Sequence, residues 1–225
     1  SELKALMVHP CLARDIDPLA VEEYFAYGYV PEPRTIFKGA CKLPPGFTLT
    51  LKRGMARALP RQYWDMPFTP VVVKDEASAM DELVERMKES VRLRMIADVP
   101  LGAFLSGGVD SSAVVAMMAT QSSTPVNTCS IGFDDPAFNE IEYAQQVADR
   151  YRTDHHVETV AANDFSLVGK LAQVYDEPYA DSSALPTYRV CELARKHVKV
   201  ALSGDGGDEN FAGYRRYRWF RYEER

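Results

Sequence analysis

The chain has 225 residues, 46% hydrophobic and 26% charged, with a net charge of −6. At ~150 residues per domain this allows one or two globular domains, and the acidic balance argues against a nucleic-acid-binding platform. No apolar run approaches the ~20 residues of a membrane helix and no basic-then-apolar leader opens the sequence, so the expected setting is cytoplasmic, without a membrane partner.

Ser1–Leu6 reads as a short helix without a capping box. Pro18–Tyr27 reads as a second, with proline at its start and Gly28 after it. Pro31, Pro33, Pro44, Pro45 and Gly46 break up the next stretch of chain. Phe47–Leu51 alternates with period two, Arg53-Gly54 turns, and Ala56–Trp64 returns, which predicts a hairpin. Residues 1–66 are therefore expected to be a partial α+β segment, too broken for a good core of its own and the end of a domain whose main body lies elsewhere. Asp65–Pro70 reads as a linker, and residues 67–225 as the second domain.

Asp75–Ala97 predicts a long amphipathic helix with Ala79, Leu83, Met87, Val91 and Met95 near one face. Beyond it strands are expected at 101–105, 126–132, 154–160 and 198–202. Helices are expected at 111–121, 139–151, 164–175 and 186–197. This alternation implies an α/β fold, a parallel sheet with helices on both faces and right-handed crossovers. Ligands in such sheets sit beyond the carboxyl ends of the strands, where strand order reverses.

The strongest local signal is Ser106-Gly107-Gly108-Val109-Asp110-Ser111-Ser112, between the apolar runs Val99–Leu105 and Ala113–Met118. It reads as strand, tight turn, helix. Gly107 and Gly108 let the backbone turn sharply and approach a ligand, and the helix start offers free N–H groups and a dipole that favours an anion. Ser106, Ser111 and Ser112 add hydroxyls, and Asp110 sets a carboxylate beside the anion site, which suits an intervening metal ion. The loop fits a polyphosphate with a divalent cation. It lacks the Gly-Lys-Ser/Thr ending of a Walker loop. A second loop, Ser203-Gly204-Asp205-Gly206-Gly207-Asp208-Glu209, follows the strand Lys199–Leu202. Two strand ends thus each carry a Ser-Gly turn with acid. The carboxylates around Gly206-Gly207 do not have calcium-loop spacing.

Other candidates are weaker. Cys11, Cys41, Cys129 and Cys191 form no C-x-x-C pair, so zinc is not expected; they read as reduced thiols, Cys129 and Cys191 as small core residues, with a disulfide left open. His155 and His156 are strand neighbours on opposite faces and cannot easily chelate one ion. Asp176, Glu177 and Asp181 read equally as an acceptor-pocket lining or a solvated acidic loop. The aromatics of Tyr214–Arg221 read as a packing face rather than an RNA surface.

The string SGGVDSS matches the pyrophosphate loop of the N-type ATP pyrophosphatases (adenine-nucleotide-hydrolase-like, PP-loop fold). Together with SGDGGDENFAGY it resembles the synthetase domain of the class B, glutamine-dependent asparagine synthetases. Val99–Gly102, Asp176-Glu177-Pro178, Ser183–Thr187 and Tyr214–Tyr217 most resemble the amidotransferases of polysaccharide gene clusters. The resemblance implies that Ser106, Gly107, Gly108, Ser111 and Ser112 hold the pyrophosphate part of ATP. It implies that Asp110 and Asp208 share Mg2+, that Phe104, Leu105 and Ile131 pack around the adenosine, and that Ser203 and Gly204 contact the nucleotide from the other side. Asp205 takes the place of an acid linked to forming the acyl-adenylate, and is shorter than the glutamate of the best-known members. The implied reaction adenylates a carboxylate, with aspartate as the expected substrate, then amidates it with ammonia released from glutamine by an N-terminal domain. An amidotransferase acting on a polysaccharide or peptide carboxylate, a β-lactam synthetase relative and a non-catalytic nucleotide-binding module remain as alternatives. Residue 1 is serine and Cys11 is internal, and the family continues past the position of Arg225, so the chain is expected to be truncated and not to hydrolyse glutamine. Oligomeric state is open, a homodimer included.

Overall fold

The computed structural model describes residues 2–68, 75–135, 139–161 and 165–223. In chain order the helices are α1 (Leu3–Met7), α2 (Pro18–Tyr27), α3 (Glu76–Arg94), α4 (Val109–Gln121), α5 (Ile141–Tyr151), α6 (Val168–Val174), α7 (Ala184–His197), α8 (Gly207–Phe211) and α9 (Arg215–Glu223). The strands are β1 (Phe47–Thr48), β2 (Arg61–Gln62), β3 (Leu101–Phe104), β4 (Asn127–Phe133), β5 (Asp154–Val160) and β6 (Val200–Leu202). The chain forms two compact units. One gathers the N-terminal residues with Phe165–Ala184, and the other contains α3 to β5 and the residues from Leu185 onward.

In the N-terminal unit, Asp17 caps α2 by accepting the Leu19 N–H at 3.1 Å, and Gly28 ends the helix in the left-handed region, φ +81°. Ala20, Val30 and Ile36 are buried together, with Leu3, Val21, Tyr24 and Phe37 packed on them. The hairpin is shorter than its alternation suggested. Phe47 pairs with Gln62 and Thr48 with Arg61, and the ladder ends there. Leu49 and Leu51 are 52% and 71% exposed, so no buried face stabilises a longer pairing.

The second unit is built on a four-stranded sheet of order β5-β4-β3-β6. Every pairing is parallel, with Phe104 opposite Cys129, Ala103 opposite Leu202 and Cys129 opposite His156. The chain steps outward from β3 to β4 to β5, then α7 carries it back to the far side of β3. The reversal therefore falls between β3 and β6. Alternate residues face opposite sides of the sheet. Ala103 and Leu105 pack with Val91 of α3, Val115 and Met118 of α4, and Ala144 and Ala148 of α5. On the other face Phe104, Cys129 and Ile131 meet Val190, Leu193 and Ala194 of α7, and Val198. Each fully buried side chain of this size contributes roughly 1.5–3 kcal/mol relative to exposure, so the three layers hold the strand ends in place.

Two expectations need correction. Only the C-terminal end of α3 reaches the core: Val91 is buried and Met95 packs beside it, whereas Leu83 is 39% exposed. Cys191 is not a core residue. It is exposed on α7, beside Val190 and two positions before Leu193, which face the core, while Cys129 is buried as expected. The histidines do face opposite ways. The His155 Nδ1 lies 2.8 Å from the Thr128 hydroxyl, and the His156 ring stacks on His197 with centroids 3.5 Å apart. The expected helix at 164–175 begins as a 3-10 turn, Phe165–Leu167, before α6; residue 164 lies outside the described residues. No described helix is long and apolar enough to cross a membrane.

Candidate functional site

Because β3 and β6 lie side by side, the loops leaving their carboxyl ends start as neighbours. The first turns at Gly107, whose φ of +84° is a conformation L side chains rarely adopt. A Cβ there would also lie 2.7 Å from the Ala144 nitrogen and from the Tyr143 Cβ at the start of α5. The glycine expected for ligand approach is thus required by the fold as well. Gly108 is the N-cap of α4 and has no side chain with which to satisfy the first amides of that 13-residue helix. Amides and a dipole so placed are suited to an anion. Asp110 stands in the same first turn.

The loop is tied to itself. The Ser111 hydroxyl accepts the Ser106 N–H at 3.2 Å, lies 2.9 Å from the Ser106 hydroxyl and donates to the Gly108 carbonyl at 3.3 Å. The Ser106 hydroxyl in turn accepts the Gly108 N–H at 3.2 Å. Ser111 is buried, so its hydroxyl shapes the cradle from inside. The Ser112 hydroxyl is buried without a hydrogen-bond partner among the described residues. Buried polar atoms are ordinarily paired, and this one belongs to the first turn of α4.

The second loop is more open. Asp205, Asp208 and Glu209 are exposed. The Ser203 hydroxyl donates to Asp205 Oδ2 at 3.0 Å. Asn210, whose role the sequence did not suggest, donates its side-chain amide to the Gly206 carbonyl at 2.6 Å and closes the turn. Tyr214 donates its hydroxyl to Glu209 Oε1 at 2.5 Å, and the Arg216 guanidinium lies 4.4 Å from the Tyr214 ring centre. That hydrogen bond holds the Glu209 carboxyl below its ordinary range and pushes the Tyr214 phenol up to about 12.

The two loops meet. A Cβ on Gly204 would lie 2.6 Å from the Ser111 nitrogen and 3.1 Å from the Asp110 Cβ. A Cβ on Gly207 would fall on the Asp110 carboxylate, 2.5 Å from Oδ2. Asp110 therefore sits against the backbone of the second loop, one residue from Asp208. The Asp208 carboxylate itself lies against Gly213. Phe104 and Ile131 are half-buried on the α7 face of the sheet, whereas the Leu105 side chain is enclosed on the opposite face, 1% exposed. The Leu105 backbone is also committed: its N–H donates to the Cys129 carbonyl at 2.9 Å and its carbonyl accepts the buried Ser130 hydroxyl. Ser130 is a support that sequence reasoning did not single out, since a serine at a strand's inward position carries no motif. Among the described residues no group of three or more His, Cys, Asp or Glu forms a metal cluster.

A parallel α/β unit with a helix start free of side-chain caps at its topological switch point, met by a second glycine loop, is the class this geometry defines. The family profile of asparagine synthase matches residues 82–224, which contain both loops, and that of the glutamine amidotransferase domain matches residues 1–64. The chain belongs to the asparagine synthase family. A sequence named as a glutamine-hydrolysing asparagine synthetase in Methanocaldococcus jannaschii is 40% identical over 95% of this chain and 42% of its own length. Glutamine-hydrolysing asparagine synthetase 1 of Bacillus subtilis is 35% identical over 97% of this chain and 34% of its own. The chain thus spans less than half the length of these relatives. NMN synthetase from Francisella tularensis superposes on 61% of this chain and 58% of its own at a TM-score of 0.41 and 14% identity, a likeness too loose to bear on function.

Proposed function

We propose that the chain carries the ATP-binding part of a glutamine-dependent asparagine synthetase, with residues 1–66 belonging to the amidotransferase side and 67–225 to the synthetase side. The observation that carries this reading is the contact of Gly204 and Gly207 with Ser111 and Asp110, which joins two motif loops into one cleft mouth. The free amides at the start of α4 and the unpartnered Ser112 hydroxyl suit a phosphate chain. Two carboxylates, Asp110 and Asp208, suit Mg2+, which keeps several of its waters.

In this reading Ser106, Gly107, Gly108, Ser111 and Ser112 cradle the pyrophosphate portion of ATP. The Ser111 hydroxyl acts by holding the loop's shape. Ser203 and Gly204 approach from the second loop, and Phe104 and Ile131 form the adenosine side, with Leu105, enclosed on the opposite face, supporting the strand end beneath them. Asp110 and Asp208 would hold the cation, which when bound offsets charge on the leaving pyrophosphate. An aspartate side-chain carboxylate attacks the α-phosphorus of ATP, the α–β bridge breaks, and aspartyl-AMP and pyrophosphate result. Donors fixed before the reaction stabilise the charge that moves onto pyrophosphate. Ammonia derived from glutamine then attacks the acyl carbon, AMP leaves, and the amide forms after loss of a proton. Asp205, beside Ser203, is the acid linked to the adenylation step.

The test is calorimetric titration of this chain with ATP in the presence and absence of Mg2+, followed by pyrophosphate release on adding aspartate with ammonia or glutamine. Magnesium-dependent ATP binding is the expected result, and its absence overturns the reading. Binding with release driven only by other carboxylic acids would replace aspartate as the acceptor and leave the adenylation chemistry standing.

A further inference from the structure

Phe165–Ala184 continues from the strand β5 and runs into α7, yet it packs with the N-terminal residues. Two acids hold it there. Asp176 Oδ2 accepts the Lys4 backbone N–H at 3.0 Å, and its other oxygen pairs with the Lys4 ammonium at 3.1 Å. Lys4 Nζ also donates to the Val174 carbonyl at 2.7 Å. Glu177 Oε1 accepts the Ile36 N–H at 2.6 Å, while Oε2 pairs with Lys42 Nζ at 2.7 Å. Lys42 reaches on to the Val30 carbonyl at 2.5 Å. The Ala180 N–H donates to the Gly28 carbonyl at 2.8 Å. The Asp176 and Glu177 side chains are 14% and 16% exposed while Lys4 and Lys42 are 42% and 28% exposed, so solvent screens the ion pairs in part and the hydrogen bonds to backbone N–H groups are the firmer ties. Ile36 and Val30 belong to the small core of this unit, so Glu177 holds the Ile36 backbone directly and reaches the Val30 backbone through Lys42.

The far end of the same segment closes in a local turn before α7. Asp181 Oδ1 accepts the Ser183 N–H at 2.8 Å, directly ahead of α7. That helix is anchored on the sheet by Leu193 and Ala194 and leads through β6 into Ser203 and the second loop. One stretch of chain therefore runs from the acid clamp, through α7 and β6, to the loop that rests on Asp110.

We propose that Asp176 and Glu177 are positioning residues that couple occupancy of the glycine loops to the amidotransferase-matched N-terminal residues, an inference that rests on the reading of those loops as an ATP site. Through them the half that makes an acyl-adenylate signals to the half that supplies ammonia, so that ammonia meets an activated carboxyl group. The coupling acts through chain continuity and backbone grip, and neither acid touches the reacting atoms.

Hydrogen exchange of the intact chain, read by mass spectrometry with and without the magnesium complex of α,β-methylene ATP, tests this. The analogue should slow exchange of the peptide containing the Ile36 amide by about fivefold or more, the low end of site-to-site coupling. Glu177→Ala and Lys42→Met should each abolish that slowing while leaving nucleotide affinity within about twofold, as expected of distant sites. Lys42→Met keeps the Ile36 hydrogen bond, so it preserves the test if Glu177→Ala fails to fold. If the nucleotide binds and the Ile36 peptide is unaffected, or if both variants transmit the slowing, the coupling is wrong and the ATP-site reading stands. If the nucleotide does not bind, the site reading falls and the coupling falls with it.

Discussion

The loops at the ends of β3 and β6 are built on different plans. In Ser106–Ser112 the hydroxyls of Ser106 and Ser111 are bonded to each other and to the loop backbone, and Ser111 is buried. In Ser203–Glu209 the acids face solvent, and the side-chain ties run from Ser203 to Asp205, from Asn210 to the Gly206 carbonyl and from Tyr214 to Glu209. Under the proposed function the contrast would match two tasks. Hydrogen-bond donors are most effective toward a phosphate when their geometry is fixed in advance. Carboxylates holding a largely hydrated Mg2+ tolerate exposure. Damage to the first loop should act through shape, and damage to the second through charge or through its grip on Asp110.

The largest effect is expected where the two meet. Asp110→Ala removes the carboxylate against which Gly207 rests. Magnesium-dependent ATP affinity should fall on the order of 100-fold, the upper range seen even for residues one step removed from a metal, and magnesium-free binding should change little. Calorimetry at two magnesium concentrations reads both. Equal loss with and without magnesium would mean that Asp110 serves the fold rather than the cation.

The two glycines of the second loop sharpen the contrast further. At Gly204 an added methyl would lie 2.6 Å from the Ser111 backbone nitrogen, an atom that cannot move without shifting α4. Gly204→Ala should therefore destabilise the sheet unit by about 1–3 kcal/mol, as overpacking typically does, measured as a lower urea midpoint. At Gly207 the methyl meets the end of the Asp110 side chain, which can rotate away. Gly207→Ala should leave the midpoint near the parent value and weaken magnesium-dependent binding by about tenfold, since only the carboxylate is displaced. A reversal of the two outcomes would show that the loops approach each other differently.

The sheet and both loops were legible because each is specified locally. Apolar strand runs alternating with helical periods announced β3 to β6 within a residue or two, and Ser-Gly strings marked their ends. The strand order, and with it the reversal between β3 and β6, is set by packing between distant elements and was not legible. What was not legible depends on partners far along the chain. Asp176 and Glu177 read as a pocket lining or a solvated loop; they do line a cavity with Tyr29, Val30 and Lys42, and they also hold Lys4, Ile36 and Lys42, partners more than a hundred residues away in sequence. Leu105 reads the same as Phe104 in a motif, but the pleat sends it into the α4 side of the core. Phe47–Leu51 alternated correctly for a strand, yet nothing packs on it beyond Thr48. Alternation indicates a face only where something covers that face.

The smallest effect separates the scaffold from the loops. His155 lies on the edge strand β5, two strands from β3. Its Nδ1 bonds the Thr128 hydroxyl, which also lies 2.8 Å from the Thr153 hydroxyl, and its Nε2 is buried without a partner among the described residues. Burial pulls its pKa below the ordinary 6.5, so the folded protein keeps it neutral where the unfolded chain would protonate it. As pH falls below about 6.5 the unfolded state binds the extra proton first, and stability declines until the pH passes the lowered folded-state pKa. His155→Gln keeps a neutral hydrogen-bonding side chain and should flatten that part of the decline, read as the difference in urea midpoint between about pH 7.5 and pH 5.5 in parent and variant. ATP affinity at the higher pH should stay at the parent value. A shared loss of affinity and pH slope would mean that the edge strand and the loops respond as one body, and the division of labour between scaffold and loops would not hold.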